Sequence, residues 1–404
     1  MTPIDRAPAA VASRLVPVSL ALIVGYIVAL VAMWLTSTNG LDAFGRPLGT
    51  DFSNVWAAGR LVLEGAPQAA YDVPLHAAEQ AREFGTGAPF YGWHYPPMFL
   101  GLAAALATLP YLPALIVWQA ATLPLYLAAL FAILGRSRHV LLAGLAFPAV
   151  FVNLTHGHNG FLTAGLFGLG LATLDRRPAL AGALFGLLAY KPQFGLLLPL
   201  VLIGTGRWTA TIAAAATALA TAGASLLLFG PETWAGFFAS AEFTRTIVLE
   251  NGTTGWHKIM SAFAAARAVG APVEFAYAVQ AATTLAVAAV TLRLWRSEAP
   301  FGRKAAALLA GSLLVTPYAL DYDLMLLAPA IAFLVRDALA SGWRRGEVIT
   351  LAAVGLSPLV ARAIAEATLI PAGLLAVAAL FSLAALSGGT SVSPQPVLAH
   401  VQRR

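Results

Sequence analysis

The chain has no cysteine, so neither a disulfide framework nor a thiolate metal site can be built from it. Charge is scarce as well: 10% of its 404 residues are Asp, Glu, Lys or Arg, while 59% are hydrophobic. A water-soluble domain carries about a quarter of its residues as charges, so that class is excluded, and the mean hydropathy of +0.78 agrees. No fixed-period repeat is visible. Present instead are apolar stretches long enough to cross roughly 30 Å of hydrocarbon, recurring to the far end. The composition describes an all-α polytopic membrane protein. Residues Leu15 to Leu35 are too many for the apolar region of a signal peptide, and no small-residue cleavage site follows, so they read as a retained first helix.

Basic residues set the expected topology. Short positive breaks fall at Arg136/Arg138, Arg176/Arg177, Arg207, Arg293 to Lys304, Arg336 to Arg345 and Arg403/Arg404, alternating with breaks that lack them. Assigning these and the N-terminus to the cytoplasm puts 16 of the 24 Lys and Arg inside. The acidic residues divide the other way, so the net +6 is a sum of +11 inside and −5 outside. The basic pI therefore reports orientation, and no nucleic-acid partner is implied. About twelve helices then return both termini to the cytoplasm, several of them shorter than the roughly 20 residues a full span prefers. If both apolar pieces within 97 to 134 crossed, Arg136 and Arg138 would be outside. The piece ending at Pro110 is therefore expected to be re-entrant or interfacial.

One domain, residues 1–390, is expected, with two long extracytoplasmic loops at 37–97 and 230–272 and a disordered cytoplasmic tail at 391–404. Both loops carry signals for interfacial helices. In the first, Asp51 and Ser53 are placed to cap a helix whose Val55, Ala58, Leu61 and Val62 form one apolar stripe, ended by Gly65 and Pro67. Such a helix should lie on the membrane surface. In the second, Trp234, Phe237 and Phe238 are the anchors, followed by the polar run Glu250 to Lys258. Loops of this size build sites rather than merely connect.

Several residues together carry a family resemblance. Asp51 followed by Trp56, the Gly65 to Asp72 stretch, Tyr95-Pro96-Pro97, Asn153 to Gly160, Lys191-Pro192, Thr316-Pro317-Tyr318 and Tyr322-Asp323 resemble glycosyltransferase family 87. That family has the GT-C membrane fold and includes members similar to polyprenol-phosphate-mannose-dependent mannosyltransferases. One departure is visible: where many relatives have Gly-Gln before Asn, this chain has Gly157-His158-Asn159. The resemblance implies a GT-C-like bundle that takes a hexose, most often mannose, from a polyprenyl-phosphate donor. The sugar passes to a hydroxyl of a lipid or glycan acceptor at the outer face of a bacterial cytoplasmic membrane, with inversion and no cofactor. It also implies that the acidic residue early in the first long loop, here Asp51, is the base.

The residues suit that chemistry. A hydroxyl is a poor nucleophile at neutral pH, and a positioned carboxylate must accept its proton. Asp51 is read either as that base or as a helix cap; Asp42 and Asp72 are weaker choices. The leaving phosphate needs cationic donors. Lys191, between two apolar segments and before a proline, is the first choice over a merely snorkelling lysine, with Arg245, His257 and Lys258 next. Trp93, His94 and Tyr95 either pack a sugar face or mark an interfacial belt. His158, Asn159, Tyr318, Asp321 and Asp323 are candidates for substrate hydroxyls, although Asp321 also reads as a helix cap. His156 and His158, two apart with no carboxylate nearby, do not make a metal pair, and no metal is expected. The alternative function is a polytopic transporter or lipid flippase. It would use Lys191 and the Pro-broken helices as a midplane site, and it predicts paired repeats and small outer loops.

Overall fold

The computed structural model describes residues 9–385, and the expected tail from 391 onward lies outside them. The described residues form helices and no strand beyond isolated bridges. Five helices are long and apolar enough to cross a membrane: Leu15–Leu35, Tyr111–Leu134, Trp208–Phe229, Val273–Trp295 and Asp321–Ser341. Two bent pairs raise the number to seven if each is one span: Arg138–Ala146 with Pro148–His156, at 56°, and Glu347–Leu359 with Ala361–Thr368, at 73°. The other apolar helices, such as Gly160–Thr173 and Ala372–Ala385, have at most 17 residues. At about 1.5 Å per residue they fall short of the hydrocarbon thickness. Against the expected dozen crossings, the described residues show five to seven helices of spanning length and several short ones. Proline explains much of the shortness, since Pro148, Pro178 and Pro231 each open a helix where a missing amide proton costs nothing.

The Phe301–Leu314 helix is the centre of the bundle, and every residue from Ala305 to Leu314 is buried. Leu327–Ser341, Ala372–Ala385 and Val273–Trp295 pack around it. Closest approach elsewhere comes from glycine. Gly182 and Gly186, four apart on Pro178–Leu187, face Ala210 and Ala214 of Trp208–Phe229. A Cβ on Gly186 would stand 2.5 Å from the Ala214 carbonyl oxygen, so only glycine permits the contact.

The first long loop folds into the protein. Its Phe52–Leu63 helix was expected on the membrane surface, yet nine of its twelve residues are buried. The reason is Gly59, beside the apolar stripe: having no side chain, it lets the helix press against Leu100–Ala107, where it meets the Ala103 carbonyl. Trp56 adds an Nε1 hydrogen bond to the Leu109 carbonyl at 2.9 Å. The Pro97–Ala107 piece is too short to cross and turns through Thr108 to Pro110 into the Tyr111–Leu134 span. The second long loop closes over the first. Its Pro231–Phe243 helix sets Phe237 against Tyr71, ring centroids 5.9 Å apart, and Tyr71 Oη donates to the Tyr95 carbonyl at 2.9 Å.

Candidate active site

The two long loops roof a cavity of about 450 Å³ whose walls include His94, Tyr95, His158, Lys191, Tyr318 and Asp323, with Arg245 at its rim. Lys191 reaches it because Pro192 forbids the helical conformation at the residue before it, breaking the Pro178–Tyr190 and Pro192–Gly204 helices apart. Its side chain is 5% exposed, so it does not snorkel. Nζ donates to Asp323 Oδ1 at 2.8 Å and lies over the rings of Phe194 and Tyr322, 5.4 and 5.5 Å from their centroids. The other Asp323 oxygen accepts from the Leu320 amide at 2.9 Å. The helix entrance is therefore held by Asp323, while Asp321 accepts from the Tyr322 amide and meets Arg362 at 3.5 Å.

The Asn153 to Gly160 stretch forms the cavity's inner corner. Gly157 turns the chain at φ +60°, and an added Cβ there would lie 2.6 Å from that of Phe52, so the turn and the loop helix fit only with glycine. Asn153 staples the corner: its Nδ2 donates to the Tyr322 carbonyl at 3.0 Å and its Oδ1 accepts from the Gly160 amide at 2.9 Å. His158 is stacked on Tyr322 with centroids 3.4 Å apart, and its Nε2 is 3.3 Å from Tyr95 Oη. His158 Nδ1 and both side-chain polar atoms of Asn159 are buried without a hydrogen-bond partner among the described residues. His156 turns back to the Val152 carbonyl at 2.8 Å. Among the described residues, no three of His, Asp and Glu come together as metal ligands would.

Asp51 stands at the start of the Phe52–Leu63 helix, where a carboxylate would normally cap, but its side chain makes no cap hydrogen bond. Its amide donates to the His156 carbonyl at 3.0 Å, which ties the loop to the corner. Burial pushes its carboxyl up to about 6, with Asp321 adding to the rise, while His156, Lys191 and Lys258 oppose it. Asp51 is not among the residues lining the cavity, but it is close enough to feel the charges of Lys191, Lys258 and Asp321.

The remaining candidates divide. Trp93 is buried against Tyr95 and Phe99, so it belongs neither to a membrane belt nor to the cavity wall. Arg245 is exposed and bonded to Glu242 and Glu250. His257 lines a separate cavity of about 230 Å³ with Glu366. Burial lowers the pKa of both His257 and Lys258. The sequence reading missed Tyr190, Gln193 and Thr244, which line the main cavity, and Arg362, the partner of Asp321. No short motif marks any of them; only Tyr190, beside Lys191-Pro192, had a signal within reach.

The described residues thus build a many-helix membrane protein with a polar, charge-paired chamber beneath two packed loops. Residues 93–317, more than half of the chain, match the family model for glycosyltransferase family 87, and the chain belongs to that family. It is accordingly a multi-pass membrane glycosyltransferase. No curated protein and no solved structure matches it. The matched span takes in His158, Asn159 and Lys191 but begins after Asp51 and ends before Asp321 and Asp323.

Proposed function

We propose that the protein transfers a hexose, with mannose the first candidate, from a polyprenyl-phosphate donor to a hydroxyl of a lipid or glycan acceptor. The reaction takes place at the outer face of a bacterial cytoplasmic membrane, inverts the anomeric centre and uses no metal. The observation that carries this reading is the uncommitted carboxylate of Asp51, neither a helix cap nor in an ion pair, with a pKa raised to about 6 by burial. A base near neutrality that is not spent on structure is what the acceptor hydroxyl requires. As the acceptor oxygen bonds to the anomeric carbon, its proton passes to Asp51. The bond from that carbon to the phosphate oxygen breaks, and its electron pair leaves with the polyprenyl phosphate.

The chamber's surroundings favour a lipid-linked donor. Pro192 and Leu196 are shared between the polar cavity and an apolar groove of about 520 Å³ on the helices around Leu188, Leu202 and Ala214. A substrate with a charged, hydroxylated head and a hydrocarbon tail suits both halves at once. Lys191 supplies charge where head meets tail, its cost of burial offset by Asp323. The test is transfer in proteoliposomes from a panel of radiolabelled polyprenyl-phosphate sugars, for the parent and Asp51→Asn. Transfer of one hexose by the parent and its loss in the variant is expected. Passage of a substrate across the bilayer without any transfer would instead make the protein a transporter.

A further inference from the structure

His94 carries a geometry that its partners do not explain. Its Nδ1 lies 2.9 Å from Thr244 Oγ1, joining the first long loop to the second. Thr244 Oγ1 in turn donates to the Ser240 carbonyl at 3.1 Å. A threonine hydroxyl has a single proton; once that is given to Ser240, only lone pairs face the imidazole. Nδ1 must then carry the ring's proton, and Nε2 is left as a bare acceptor.

Among the described residues Nε2 has no hydrogen-bond partner, although the ring lines the main cavity with Tyr318 edge-on at 6.3 Å. The edge that carries it passes close to Gly92, where an added Cβ would lie 2.9 Å from Nε2 and crowd it. Burial lowers the ring's pKa to about 4, so it stays neutral at physiological pH. A neutral acceptor is useless to a phosphate, which offers lone pairs of its own, but it matches a hydroxyl that offers a proton. Lys191 and His94 line the same chamber with opposite preferences, one for an anion and one for a hydroxyl.

We propose that His94 is the sugar-reading residue of this enzyme, its Nε2 accepting a hydrogen bond from one hydroxyl of the transferred hexose. This rests on the donor reading above. A site built to bind a hydroxyl rejects the analogue that lacks it, because the site's own polar group is left unpaired.

Two substitutions separate this role from that of a pin between the loops. His94→Asn keeps an N–H within reach of Thr244 but removes the acceptor at Nε2. His94→Gln puts an amide oxygen near the Nε2 position and gives up the Thr244 bond. Donor affinity and transfer are measured for the parent polyprenyl-phosphate hexose and for its singly deoxygenated derivatives. The wild type should lose about 10- to 100-fold on one deoxy donor. His94→Asn should show that loss on the parent donor and no further loss on that same deoxy derivative, while His94→Gln should retain most of the discrimination. Gly92→Ala, which covers the Nε2 edge, should resemble His94→Asn. If Asn behaves as wild type and Gln fails, or if every variant loses equally on all the deoxy donors, His94 is a pin and the proposal falls. A wild-type protein that binds no polyprenyl-phosphate hexose overturns the donor reading, and this inference with it.

Discussion

At the scale of single residues, the decisive fact about Asp51 is what its carboxylate does not do. It leaves the amides of the first helical turn without a cap bond. Its raised pKa means that the folded protein favours the protonated form, so the group adds stability below the usual carboxylate range near 3.8 and loses it as pH rises through about 6. Asp51→Asn should therefore leave thermal stability at pH 7.5 unchanged or slightly higher while lowering turnover by roughly 10² to 10⁴. Parent activity should climb with pH up to about 6 and then level, as the base deprotonates; a flat profile across pH 5 to 7 together with an active Asn variant would assign Asp51 to structure. Lys191 behaves differently, because removing it strands Asp323. Lys191→Met should cost about 3–5 kcal/mol, read as a large fall in melting temperature in detergent. Adding Asp323→Asn, which can still accept from the Leu320 amide, should restore much of the stability but not donor affinity. Recovery of both would show that the pair is purely structural.

At the scale of elements, the Phe52–Leu63 helix shows how far the sequence could be read. Its start, its end at Gly65 and its apolar stripe are all legible from the residues. Its burial is not, because an apolar stripe with a glycine beside it reads the same whether the helix lies on a membrane or against another helix. Only the partner helix Leu100–Ala107 decides it. The same holds for Lys191: the proline break is local and visible, whereas the carboxylate that neutralises it lies 132 residues away. Arg362 was invisible for that reason too. The burial of Trp93, open in the sequence between a sugar face and an interfacial belt, is equally illegible there, since exposed and core tryptophans do not differ in sequence. Gly59 tests the element. An added methyl meets the Ala103 carbonyl, backbone that cannot swing aside, so Gly59→Ala should destabilise by about 1–3 kcal/mol. It should also shift the loop carrying Asp51, lowering activity more than a surface Gly87→Ala, where the added Cβ meets nothing. Equal melting temperatures and activities for the two variants would refute the close packing.

At the scale of the whole molecule, the remaining question is which face of the membrane the chamber opens to, and charge supplies the argument. The expectation from the 16 to 8 division of Lys and Arg is that the breaks at 136–138, 176–177, 207 and 293–304 lie on one side and both long loops on the other. The fold is consistent with treating the loops as a unit, since Tyr71 packs on Phe237 and His94 meets Thr244. One labelling result in either loop therefore orients both. The absence of native cysteine makes the measurement clean, and the exposure of each position chooses the sites. Ala69 in the first loop is buried, but its neighbour Gln68 is exposed, as are Ala239 in the second loop and Ser297 in the 293–304 break. Single cysteines at Gln68 and Ala239 should react with a membrane-impermeant maleimide in intact cells, and one at Ser297 should react only after the cells are opened. Labelling of Ser297→Cys from outside, with Gln68→Cys and Ala239→Cys protected, would turn the molecule over. Asp51 and the chamber would then face the cytoplasm, and the proposal that transfer takes place at the outer face would fall.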